Sequence, residues 1–294
     1  MKKTFLIILA IVGIMALISC NKNAVNPINN PVSSDTGIEM VSFHFEPYNI
    51  EPIRDASSIG DYCNHLDVYI YESDDLETPV SSIHQVLNNN SSFGTVIAPL
   101  QTNKTYTMYA IAHKCNGEAV VTDGVVLFPE GKTTHSFFYK ETFTPTLNSS
   151  KTCTMERIVG MFKMTTTDAV PSEVSQFVFV IDLIGTAWNV EGYSENKIER
   201  TVTFNSFNLN SGGTVTFNLY LIADEQDETN EVNITTYTYG ADEQLVQERY
   251  FENVPIKNGW MTTYTGNFFV SFDMNITFLA EAWNEFDPVN FING

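Results

Sequence analysis

Period-two alternation of apolar and polar residues is the feature that most restricts the fold of this 294-residue chain. In the segment EMVSFHF, Val41, Phe43 and Phe45 would share one face of a strand. In HLDVYIY, Leu66 and Val68 would do the same. Because successive side chains of a strand point to opposite faces, this pattern predicts strands with a buried face. Later segments such as VSQFVFVIDL, GTVTFNLYLI and NFFVSFDMNITFL continue it, and a 13% aromatic content also favours strands.

Turn signals separate these segments at close spacing, for example Asn116-Gly117, Gly212-Gly213 and Asn258-Gly259. No window of a dozen residues has a convincing helical face, although GADEQLVQERY fits a short helix as well as a strand. Short strands with Gly and Asn turns predict an all-β protein built of β-sandwiches. About 255 residues is large for one sandwich, so the sequence predicts two domains, at 37–148 and 149–294.

The first twenty residues have the pattern of an export signal. Lys2 and Lys3 precede an apolar run from Thr4 to Ile18, which is short for a membrane-spanning helix. The run ends in Leu-Ile-Ser-Cys, which resembles a bacterial lipobox. We therefore expect removal of a signal peptide, residues 1–19, and attachment of acyl chains such as palmitate to Cys20. A plain signal peptide with a chance cysteine, or an uncleaved anchor, is the alternative.

A polar segment follows the cysteine. Residues 21–36 contain five Asn, two Pro and two Ser with few apolar groups, so residues 20–36 are expected to be a flexible tether. With the lipid, this tether would hold a folded body away from the outer membrane at the cell surface.

The charge of the chain excludes some partners. Its formal net charge is −20, so it would repel nucleic-acid backbones and anionic lipid. Cys63, Cys115 and Cys153 have no CxxC spacing, which gives a zinc site no support. One disulfide pair is open to an exported chain, but small buried core residues are the preferred interpretation.

One segment near the C-terminus, NVPIKNGWMTTYTGNFFV (253–270), carries the most specific pattern. It resembles a hallmark of the Bacteroidetes fimbrillins, the superfamily of major and minor fimbrial (pilus) subunits and anchors. The matching positions are Val254, Pro255, Asn258, Thr263, Gly266 and Asn267. Trp260-Met261 departs from the family's basic or Tyr position after the turn. The segments MERIVGMFKMTTTDAVPSEVSQFVFVI and YTMYAIAHKCNG are also similar to parts of that family.

The resemblance implies two tandem transthyretin-like β-sandwiches in a lipoprotein precursor whose subunits join by strand donation. In polymerising members an Arg- or Lys-specific protease removes an N-terminal strand, and Arg54 is the candidate cleavage site here. An ordinary surface arginine is the alternative. The implied partners are other fimbrial subunits, the outer membrane through the lipid, and host or bacterial surface ligands, with a role in adhesion. The resemblance does not decide between base, shaft and tip.

The sequence contains few motifs that are typical of catalytic or metal-binding sites. A nucleophile formed by Cys63 and His65 with Asp67 is conceivable, because alternate residues of a strand share a face. The acidic run 223–231 lacks the order of a calcium loop and is expected to be a solvated hairpin loop. We therefore expect no catalytic residues, no metal and no cofactor. The runner-up function is glycan binding in a polysaccharide-utilisation system, with the residues Trp188, Trp260 and Trp283 available to stack on sugar rings.

Overall fold

Strands make up almost all of the regular structure, which confirms the predicted all-β class. The computed structural model describes residues 37–48, 58–147, 149–226, 228–280 and 290–291. The strands of the first half are β1 (Ile38–Pro47), β2 (His65–Glu72), β3 (Ser81–Val86), β4 (Thr95–Gln101), β5 (Tyr106–His113), β6 (Val120–Thr122), β7 (Val125–Leu127), β8 (Ser136–Phe143) and β9 (Ser150–Arg157). Two single-turn 3-10 helices lie at Ile59–Asp61 and Pro129–Gly131.

The second half continues the pattern, and the ambiguous segment before residue 250 is a strand. Its strands are β10 (Gly160–Thr166), β11 (Val174–Ile184), β12 (Ala187–Asn189), β13 (Tyr193–Glu195), β14 (Ile198–Phe204), β15 (Thr216–Leu221), β16 (Asn230–Gly240), β17 (Leu245–Ile256), β18 (Met261–Asn267), β19 (Asp273–Leu279) and β20 (Asn290–Phe291). No helix within the described part of the chain is long and apolar enough to cross a membrane.

The first sandwich is one continuous sheet in the order β3-β2-β5-β8-β9-β1-β4. Strand β9 joins its two layers, because it pairs with β8 at one end and with β1 at the other. Both layers contribute to one apolar core, which contains Phe43 and Phe45 of β1, Val68 of β2, Met108 of β5 and Phe137 of β8. This core holds β1 in place.

The second sandwich has two separate sheets, in the orders β14-β11-β16-β17 and β19-β18-β10-β15-β20. Its core is dominated by aromatic rings, among them Phe177, Phe179, Phe204 and Phe217. The rings of Phe204 and Phe217 have centroids 4.7 Å apart, and those of Phe177 and Phe217 are 4.6 Å apart. Alternation of these residues along the strands therefore gives the buried face predicted from the sequence.

A third sheet and a third core join the two sandwiches. The sheet has the order β13-β12-β7-β6, and its central pair unites β7 of the first half with β12 of the second. The shared core contains Tyr69, Tyr109, Trp188 and Tyr220. Because this core covers the outer face of β2 and β5, those strands are buried on both faces.

The predicted domain boundary at 148/149 falls between β8 and β9, which are neighbours in one sheet. Strand β9, although it follows that boundary, pairs with β1 and β8 of the first sandwich. The polar segment 140–152 thus connects two neighbouring strands of one sandwich, and the chain enters the second sandwich at β10. The acidic run 223–231 also differs from expectation, since it connects β15 and β16, which belong to different sheets and do not form a hairpin.

Candidate functional site

Strand β1, the first strand of the described residues, is an inner strand that lies between β9 and the edge strand β4. It pairs antiparallel with β4, from Ile38 opposite Gln101 to His44 opposite Thr95. On its other side it pairs parallel with β9 over residues 42–47. Both edges of β1 are therefore hydrogen-bonded to neighbours, so its loss would divide the sheet into two parts with unpaired edges.

The inner face of β1 fills part of the first core. Val41, Phe43 and Phe45 are at most 1% exposed. The ring of Phe43 meets Phe143 edge-on with centroids 5.4 Å apart. Burial of three such side chains stabilises the strand by roughly 5–9 kcal/mol, at about 1.5–3 kcal/mol for each side chain.

The outer face of β1 carries little of this energy. Ile38 and Met40 are 66% and 60% exposed. His44 is exposed, and its Nδ1 lies 3.2 Å from the hydroxyl of Thr95. Affinity for the β1 position therefore comes from backbone pairing plus apolar side chains at alternate residues of one face.

The walls around β1 present apolar residues from both neighbours. In the register of the sheet, Phe43 lies opposite Val96 of β4 and Phe45 lies opposite Cys153 of β9. Burial raises the pKa of the Cys153 thiol to about 11, so it stays protonated and behaves as a small apolar residue. An empty β1 position would thus be an apolar slot between two unpaired strand edges.

The two site residues predicted from the sequence, Cys20 and Arg54, lie outside the described residues. Arg54 follows β1 in the chain and precedes β2. A cut after Arg54 would separate residues 1–54, which carry both Cys20 and β1, from the rest of the chain. Lipid attachment and cleavage both stay predictions.

The proposed Cys63–His65 pair does not form. Cys63 precedes β2 and packs into the first core, with its Sγ 3.7 Å from the carbonyl oxygen of His135. His65 lies instead on the opposite face of β2 with Asp67, where its ring stacks on that of His113. Strand alternation begins only at His65, which is why the predicted common face is wrong. No disulfide joins the three cysteines of the described chain, all of which are buried.

The fimbrillin-like segment lies where β17 ends and β18 begins, in different sheets of the second sandwich. Asn258 in this connection is 5% exposed, and its Oδ1 accepts a hydrogen bond of 3.0 Å from the amide of Ala223. Only glycine fits at position 266, because a Cβ there would lie 2.0 Å from the carbonyl oxygen of Asp273. The motif residues therefore have structural roles: Asn258 fixes the connection between the two sheets, and Gly266 allows β19 to approach β18.

A tyrosine-lined groove is the feature closest to the alternative function. It has a volume of about 750 Å³, and its walls include Tyr71, Tyr109, Tyr193 and Glu191. Tyr71 and Tyr109 are each 3% exposed, whereas Tyr193 is 41% exposed. Trp188, expected as a sugar platform, is buried in the shared core at 1% exposure.

Sequence comparison places the chain in a family. Residues 130–287, more than half of the chain, match a family of unknown function designated DUF6562. The chain belongs to the DUF6562 family. No curated protein matches this DUF6562 member by sequence.

Solved structures share the fold of this DUF6562 protein. A candidate adhesin from Bacteroides thetaiotaomicron is 13% identical, with a TM-score of 0.51 over 83% of this chain and 97% of that chain. A candidate cell adhesion protein from Bacteroides ovatus is 14% identical, with a TM-score of 0.50 over 85% and 100%. A candidate polysaccharide-binding protein from Bacteroides thetaiotaomicron is 9% identical, with a TM-score of 0.51 over 84% and 99%. The resemblance noted in the sequence is thereby confirmed at the level of the fold, which this chain shares with candidate adhesion proteins of Bacteroides.

Proposed function

We propose that this protein is a cell-surface adhesion protein, a fimbrial subunit or anchor, that joins other subunits by exchange of a β-strand at the β1 position. The observation that carries this proposal is the placement of β1. The first strand of the described residues is paired on both edges, fills an apolar slot, and connects to the rest of the chain through residues 48–64. A strand from another subunit with alternate apolar residues would satisfy the same slot.

The fold is compatible with this role, since a candidate adhesin and a candidate cell adhesion protein, from two Bacteroides species, share it. The strongly acidic chain also suits an exposed surface that does not bind nucleic acid. Catalysis has no part in the proposal, because the one nucleophile arrangement that the sequence suggested is not formed.

The state of the N-terminus would decide the role of the subunit. An uncut chain keeps the lipid on Cys20 and would serve as the base that holds a fimbria at the outer membrane. A chain cut after Arg54 loses the lipid and β1 together and would enter the shaft or tip. Mass spectrometry of the native protein distinguishes these roles, by an acylated Cys20 or by a terminus at Asp55.

Assembly itself is tested with the purified protein and an Arg-specific protease. The cut chain should form a ladder of oligomers on an unheated gel, whereas Arg54→Ala should stay monomeric under the same treatment. Monomeric cut protein at all concentrations would contradict the proposal.

Glycan binding is the second candidate function. It is favoured by the groove beside Tyr193 and by the description of one structural relative as a candidate polysaccharide-binding protein. Retention of the intact protein on a polysaccharide column, weakened by Tyr193→Ala and without any laddering after cleavage, would replace strand exchange by this function.

A further inference from the structure

A buried carboxylate, that of Asp67, contacts two imidazoles on the outer face of the first sandwich. Asp67 of β2 is 0% exposed and lies on the face away from the first core. Its Oδ2 accepts hydrogen bonds from Nε2 of His113, at 2.9 Å, and from the amide of Ala119, at 3.0 Å. Its Oδ1 contacts Nδ1 of His84, which lies directly opposite on β3.

A second carboxylate approaches this group from the loop between β5 and β6. The hydroxyl of Tyr69 lies 3.1 Å from Oε1 of Glu118 and 2.8 Å from the carbonyl oxygen of Ala119. These contacts bring Glu118 to the cluster, and one ligand atom from each of Asp67, His84 and Glu118 lies within 4.8 Å of the others.

We propose that Asp67, His84 and Glu118 form a binding site for a divalent transition-metal ion of the Zn²⁺ class. One imidazole and two carboxylates form a mixed nitrogen and oxygen donor set that suits such ions, and the two carboxylate charges balance the charge of the ion. Bond lengths of about 2.0–2.2 Å place tetrahedral ligands about 3.3–3.6 Å apart. Side-chain shifts of an ångström or so would therefore close the site, and a fourth position would stay open for water or a donor from another molecule.

The surroundings of the three ligands support this assignment. His113 and the Ala119 amide hold Oδ2 of Asp67, which is the outer-shell support that ligating carboxylates have in metal sites. His65 is 8% exposed, its ring centroid lies 5.2 Å from those of both His84 and His113, and its Nδ1 has no hydrogen-bond partner among the described residues. This unsatisfied buried nitrogen is a second sign that the imidazole cluster serves more than core packing.

The site has an entry path and a structural consequence. The side chain of His84 is 30% exposed and Glu118 lies at the surface, so an ion can reach them from solvent. A bound ion would cross-link β2, β3 and the loop after β5. It would therefore stabilise the end of the first sandwich next to the shared core.

Metal binding is tested by equilibrium dialysis of the purified full-length chain in detergent after treatment with EDTA. We expect one Zn²⁺ per chain, with binding weakened at least about tenfold by His84→Asn and by Glu118→Gln. His44→Asn and Glu77→Gln are the matched controls, since both change exposed residues of the same type outside the site, and they should bind as the unchanged chain does. Co²⁺ in place of Zn²⁺ should give the visible spectrum of nitrogen and oxygen ligands.

Three results would overturn the proposal: no Zn²⁺ bound, equal binding by the chain and both site variants, or a thiolate charge-transfer band with Co²⁺. Circular dichroism in EDTA checks that the variants are folded. Because Glu118 is exposed, Glu118→Gln should fold normally and decides the question even if His84→Asn does not fold.

Discussion

Truncation of Phe43 would test how strongly β1 is held by its inner face. Phe43 is 0% exposed, lies in the centre of the strand and packs edge-on against Phe143. Replacement of a buried Phe by Ala costs about 3–5 kcal/mol, from lost transfer energy and the cavity left behind. If the free energy of unfolding falls by about 2 kcal/mol for each molar of urea, Phe43→Ala should lower the midpoint of urea unfolding by about 2 M.

The control for this prediction is Met40→Ala, on the same strand but 60% exposed, which should change the stability by less than about 0.5 kcal/mol. Unfolding in urea followed by far-ultraviolet circular dichroism measures both variants. Equal midpoints for Phe43→Ala and Met40→Ala would refute the argument that apolar burial holds β1 in its slot. A weakened β1 should also exchange faster for an added strand.

Three further predictions concern the joints of the fold. Burial, together with the charges of Arg157 and Lys114, lowers the pKa of His135 well below 6.5, so the unfolded chain binds a proton that the folded chain does not. The free energy of unfolding should therefore fall as the pH drops below about 6.5, by up to about 1.4 kcal/mol per pH unit. Urea unfolding of His135→Gln should show a shallower fall with pH. Gly266→Ala should lower the melting temperature more than Thr263→Ala does, because a Cβ cannot fit against β19. Asp168→Asn should lower the free energy of unfolding by about 1–3 kcal/mol, because the carboxylate accepts three hydrogen bonds of 2.7–2.9 Å from backbone N–H groups. An unchanged midpoint of urea unfolding would contradict this.

The contribution of Asp168 to stability also depends on pH. Burial alone would raise its pKa, but the hydrogen bonds from the amides of Phe268, Val270 and Phe269 outweigh this effect and lower the pKa. The folded state thus favours the ionised carboxylate. Its contribution to stability is present above about pH 3.8 and is lost as the pH falls through the lower folded value.

Local periodicity was enough to predict the strands and their inner faces. Val41, Phe43 and Phe45 are buried as the alternation of β1 indicates, because side chains of a strand point alternately to its two faces whatever the partner strands are. The segment before residue 250 was ambiguous, and pairing with β16 decides in favour of a strand. Propensity alone could not decide it, since the sheet supplies the energy.

Long-range pairing could not be predicted from one sequence. Asp67, His84 and Glu118 are separated by up to 51 positions, and only the register of β2 with β3 and the path of the following loop bring them together. The same holds for the sheet that joins β7 to β12, and for the second buried face of β2. One signal was available: a His and an Asp two residues apart on a strand whose outer face also carries tyrosines.

Binding of a β1 peptide to the cut chain measures whether the β1 slot accepts a strand from another molecule. The chain is cut after Arg54 and mixed with a labelled synthetic peptide of residues 37–48, and binding is measured by fluorescence anisotropy with a Phe43→Ala, Phe45→Ala peptide as control. Strand exchange predicts saturable binding of the native peptide, much weaker binding of the control, and loss of the oligomer ladder at excess native peptide. Equal binding of the two peptides, or a ladder that excess native peptide leaves unchanged, would contradict it.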